Sequence, residues 1–146
     1  MKYNIIFYLS KKTSYCEKAL KKAFFSIGGE AHRVSSATTP IQLGEEVARS
    51  LKICPLTVII GGLHTDGDDN LSTVLSRVFS NSSLTLENMR KLSGDSGSEG
   101  YIVRYKSQIL LALPDSPADI TSMCSENLLD FIREKVTVSE NGCGKA

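Results

Sequence analysis

Asp66, Asp68 and Asp69 crowd one short stretch of this 146-residue chain, just beyond the paired glycines Gly61 and Gly62. Carboxylates held that close repel one another, and a bound cation or polar ligand relieves the repulsion. The glycines supply the other half of a binding turn, because a residue without Cβ reaches positive φ and lets backbone approach a ligand. After the acids, Leu71, Val74, Leu75, Val78 and Phe79 recur at helical spacing. Asp68, Asp69 and Asn70 would therefore open a helix whose first N–H groups donate to anions. Helix capping accounts for one of these acids, not for all three. A solvated acidic turn, cheap in water, stands as the alternative.

A second turn, "LPDSP" (Leu113 to Pro117), also leaves an apolar run and enters a helical pattern. Ser116 suits an N-cap and Pro117 a first helical position, and the geometry that caps a helix also holds an anion. The other reactive side chains form no such set. His64 beside Asp66 is one imidazole and one carboxylate, too few for a transition-metal site, and His32 falls in a weak strand where a structural role is expected. Cys16, Cys54, Cys124 and Cys143 are widely scattered with no C-x-x-C pair, so they read as small buried hydrophobes. The lysines near the first helix read as a solvated face. The "GDSG" inside Gly94 to Gly100 is a chance match to protease loops, and no Ser-His-Asp order, Walker loop or zinc-protease motif occurs.

The elements that must position the two turns follow from periodicity. "YNIIFYL" (Tyr3 to Leu9) and "LTVII" (Leu56 to Ile60) are near-continuous apolar runs, as in strands covered on both faces. Between them, Tyr15, Ala19, Leu20, Ala23, Phe24 and Ile27 mark one helix ended by Gly28-Gly29. "EAHRV" is a weak strand, and Thr39-Pro40 opens a second helix with Ile41, Val47, Ala48 and Leu51 toward the sheet. Residues 80–100 read as a surface excursion with a short helix near Leu86 to Leu92. "YIVRY" and "ILLAL" form a hairpin, and Ile120 to Ile132 a last amphipathic helix. This order predicts a three-layer α/β/α sandwich with a mostly parallel sheet. The expected organisation is one domain over residues 1–136 and a flexible tail over residues 137–146.

Composition narrows the partners. Lys and Arg number 17 against 16 Asp and Glu, so no global field draws the chain to nucleic acid or lipid headgroups. The first apolar stretch is much shorter than the roughly 18 residues of a membrane span and lacks a cleavage site. A cytoplasmic protein with no membrane or nucleic-acid partner is expected.

"GGLHTDGDD" and "LPDSPADITSM", in this order on these elements, resemble the "GGLGPTxDD" and "LPGSP" turns of the molybdopterin-binding domain superfamily. That superfamily includes molybdopterin adenylyltransferases and the amino-terminal domain of the competence-damage-inducible proteins. Gly61, Gly62, Leu63, Asp68 and Asp69 match the first turn without a gap; Leu113, Pro114, Ser116 and Pro117 match the second. The resemblance implies Asp68 and Asp69 as catalytic and magnesium-holding carboxylates. It implies Gly61, Gly62, Leu63, Ser116 and Pro117 around a pterin or nucleotide, and a homo-oligomer, often a trimer. Its enzymes transfer AMP from magnesium-ATP to molybdopterin, whereas the competence-type branch is associated with metal-dependent cleavage of ADP-ribose and related dinucleotides.

The chain departs from that pattern in several places. "LSKKTS" replaces a "GDE"-like turn after the first strand, Ile60 a threonine, His64-Thr65 a Gly-Pro, and "VSSATTP" an acidic turn after the second strand. Asp115 replaces the glycine of "LPGSP", and its carboxylate would oppose a phosphate unless a cation intervenes. Whether the chain is an enzyme therefore stays open. The readings are a molybdopterin or cofactor-precursor binder with AMP transfer, a metal-dependent dinucleotide pyrophosphatase, or a non-catalytic ligand-binding protein of the same fold.

Overall fold

The computed structural model describes residues 1–11, 13–63, 71–80, 89–93, 98–105 and 108–143. Its centre is a six-stranded sheet in the order β2-β1-β3-β6-β5-β4, made of β1 (Lys2–Tyr8), β2 (Glu30–Ala37), β3 (Leu56–Ile60), β4 (Met89–Ser93), β5 (Glu99–Tyr105) and β6 (Gln108–Leu113). β1 runs parallel to β2 and β3, and β3 parallel to β6, while β5 is antiparallel to both β6 and β4.

Side-chain alternation along the inner strands builds two cores. Tyr3, Ile5 and Phe7 of β1, with their register partners Leu56, Val58 and Ile60, pack on α1 (Thr13–Phe25), α4 (Pro117–Met123) and α5 (Glu126–Cys143). Ile6, Tyr8 and Ile59 face α2 (Pro40–Ile53) and α3 (Leu71–Ser80). The expected three-layer sandwich is thus formed, because apolar residues at every strand position can only be buried by helices on both faces. On the first face Tyr3 and Phe24 meet edge to face at 4.9 Å. Such a pair is worth about 0.5–1.5 kcal/mol beyond its area.

Three expectations are corrected. The residues near Leu86 to Leu92 were expected to hold a short helix, yet Met89–Ser93 is a strand paired with β5; its exposed edge position asks little of the sequence pattern. α5 continues through Cys143; once nucleated, a helix gains a hydrogen bond with each added residue. A break at Cys124 divides the single last helix expected into α4 and α5. The buried face of α2 is also shifted: Leu43, Val47 and Ser50 point inward and Ile41 is 76% exposed. Ser50 is buried because its hydroxyl joins Asn4 and Thr57 in a hydrogen-bonded group between β1, β3 and α2.

Candidate functional site

β1 lies between β2 and β3, so the chain leaves it in one direction and returns past it in the other. In open α/β sheets the crevice beyond the carboxyl ends of the strands at such a reversal is where ligands bind. Three chain segments converge there: Tyr8 to Lys11 after β1, Gly61 to Leu63 after β3, and Pro114 to Ser116 after β6. The Gly61 N–H donates to the Leu113 carbonyl at 3.0 Å, which ties the second segment to the third.

The glycine turn is left-handed, with φ of 105° at Gly61 and 75° at Gly62. A Cβ at Gly61 would sit 2.2 Å from the Tyr8 carbonyl oxygen, and one at Gly62 would sit 2.4 Å from the Tyr8 ring. The close approach that these glycines permit is therefore to the chain's own Tyr8. The Gly62 carbonyl accepts from the Leu71 N–H at 3.0 Å, closing the turn onto the first residue of α3. Both flanks of the acidic stretch are thus anchored beside the strand end. Asp66, Asp68 and Asp69, with His64 and Asn70, lie outside the described residues; Leu63 is described and packs against the α2–α3 core.

Across the crevice, Asp115 reaches the segment after β1. Its carboxylate accepts from the Ser10 hydroxyl at 2.6 Å and from the Lys11 N–H at 2.7 Å, with the Cys16 thiol at 3.5 Å. These are charge-assisted bonds, and they fix the turn that replaces the "GDE"-like sequence. Ser116 is the N-cap of α4, accepting from the Asp119 N–H, and Pro117 holds the first helical position. Both follow the sequence reading as local structure. Tyr8 and Ser10 are contributors that sequence reasoning missed: an aromatic residue in a strand signals only core, and the partner of Ser10 is 105 residues away.

Among the described residues no three His, Cys, Asp or Glu side chains gather as ligands for a metal ion. The buried thiol of Cys124, pushed up to about 12 by burial, is protonated at neutral pH, and burial raises Cys54 against the opposing charge of Lys2. Neither is a nucleophile in that state. Among the described residues, no helix is long and apolar enough to cross a membrane.

No family model matches the sequence, and no curated protein sequence matches it. Solved structures match it in fold. CinA from Thermoplasma acidophilum, a protein of unknown function, aligns with a TM-score of 0.69 at 13% identity, over 90% of this chain and 99% of its own. The molybdopterin biosynthesis enzyme MoaB from Thermus thermophilus aligns with a TM-score of 0.69 at 13% identity over 96% of both chains. A molybdopterin biosynthesis protein from Mycobacterium abscessus gives 0.69 at 12% identity, again over 96% of both. The α/β fold expected from the sequence is thus the fold of these solved structures: this chain shares the overall fold of the MoaB and CinA proteins.

Proposed function

We propose that this chain binds molybdopterin or a precursor of the molybdenum cofactor at the carboxyl ends of β1, β3 and β6. The observation that carries the reading is the meeting of the glycine turn and the "LPDSP" turn through Gly61 and Leu113, in a fold held in common with molybdopterin biosynthesis proteins. Gly61, Gly62, Leu63, Ser116 and Pro117 would border the ligand. Asp115 suits a pterin better than a phosphate, because a carboxylate accepts side by side from the amino and ring N–H groups of a pterin and repels an anion. Asp68 and Asp69 are the pair we assign to magnesium and ATP. A magnesium ion, when bound, neutralises phosphate charge for AMP transfer, and the part of the chain is to hold it and orient the pterin.

Titration calorimetry with molybdopterin, with and without magnesium-ATP, followed by analysis for adenylylated pterin, tests the proposal. Binding with product supports AMP transfer, and Asp69→Ala is then expected to abolish turnover without loss of fold. Absence of molybdopterin binding overturns the proposal. A second reading, a non-catalytic carrier or sensor, draws support from Asp115. Its carboxylate already takes the Ser10 hydroxyl and the Lys11 N–H, donors that a transferring phosphate would otherwise use. Binding without product in the same experiment supports that reading.

A further inference from the structure

Far from the strand ends, a cavity of about 500 Å³ opens between β4, β5 and the helices α4 and α5. Pockets that enclose small molecules have about 300–1,000 Å³, apolar walls and a few placed polar groups. Ile102, Met123 and Leu128, all buried, and half-buried Phe131 form its apolar part, and serines and Asn127 supply polar lining beside them. The cavity follows from the register of the outer strands. Leu92 pairs with Gly100, which has no side chain, and a Cβ at Gly100 would lie 3.1 Å from the Met123 sulfur. Met123 thus packs down onto β5.

Two cations stand on the rim, and they differ. Lys91 is engaged by Glu99 at 2.5 Å, which raises its pKa. Arg90, exposed, lies with its guanidinium 5.9 Å from the centre of the Phe131 ring, and among the described residues no carboxylate pairs with it. A guanidinium against an aromatic face keeps its planar fork of donors, which matches the two oxygens of a carboxylate, sulfonate or phosphate. The apolar walls beside it suit a flat hydrophobic body.

We propose that this cavity is a second small-molecule site, taking an aromatic or apolar organic acid with its ring among Met123, Leu128 and Phe131 and its anionic group on Arg90. It shares no residue with the strand-end site and goes beyond the function proposed there. The probe is 8-anilinonaphthalene-1-sulfonate, titrated by fluorescence into the full chain, with the uncharged N-phenyl-1-naphthylamine as its partner.

Saturable one-to-one binding of the sulfonate is expected, weakened about tenfold or more in Arg90→Ala and in Arg90→Gln. Asn127→Trp, which puts bulk on the rim, is expected to abolish binding of both probes. The uncharged probe should bind the wild type and both Arg90 variants equally. Arg90 and Asn127 are exposed, so circular dichroism should show an unchanged fold. Non-saturating binding, or sulfonate binding indifferent to all three substitutions, would overturn the proposal. So would a wild-type signal that emerges only on dilution, since that would mean that another copy of the chain covers the cavity.

Discussion

The carboxyl end of the central strands and the outer edge of the sheet solve opposite problems. At the strand ends the chain fills its own space and spends its own donors: Tyr8 packs against both glycines, and Asp115 takes the Ser10 hydroxyl and the Lys11 amide. At the edge, β4 and β5 leave a cavity with an apolar floor and an arginine that lies over an aromatic ring. The position of a site in a fold and the availability of its groups are thus separate properties. A ligand at the strand ends must compete with internal bonds, whereas one at the edge meets a cavity already open.

Replacing Gly61 should break the self-filled end most severely. An alanine there combines a φ of 105° with a Cβ 2.2 Å from a backbone oxygen, and a loss of about 3 kcal/mol or more is expected in urea denaturation. Gly28 supplies the control, since its φ is 74° but nothing lies within 4 Å of its would-be Cβ. Gly28→Ala should cost about 1 kcal/mol. Equal losses would mean that the approach to Tyr8 adds nothing.

Asp115→Asn keeps the shape and removes the charge, so the bonds from Ser10 and Lys11 weaken. A loss of about 1–2 kcal/mol is expected, together with a gain in affinity for inorganic pyrophosphate at the strand ends. No gain would show that the internal carboxylate is not what keeps anions out.

Tyr3, near the amino end of β1, gives a pH test. Burial, then the charge of Glu17, pushes its phenol up to about 12 from the usual 10. The folded state therefore holds the neutral form more tightly than the unfolded chain does. Its contribution is complete below pH 10 and is lost as pH rises toward 12. Alkaline absorbance titration alongside denaturation checks this, and Tyr3→Phe should flatten the decline. At the open edge, Arg90→Ala should change stability by less than about 0.5 kcal/mol.

The layers of the fold were legible because β1, β3 and β6 carry apolar residues at nearly every position, which only two covered faces explain. β4 was not, since "MRKLS" at an edge lacks both alternation and a buried run. The local geometry of the candidate site was legible from glycines and a cap: Gly61, Gly62, Ser116 and Pro117 act through backbone geometry, which local sequence encodes. The link from Asp115 to Ser10 and Lys11 was not, because it exists only after β1 and β6 are brought to one side of the sheet. Asp68 and Asp69 lie outside the described residues, and their role belongs to the function proposed.

Calorimetric titration of the wild-type chain with molybdopterin, repeated on Asp115→Ala, tests whether the strand ends hold a pterin against this carboxylate. One-to-one binding to the wild type and weaker binding to the variant are expected, because the carboxylate is assigned to the donor edge of the pterin. Absence of binding to the wild type, or equal affinity in both, would contradict that assignment.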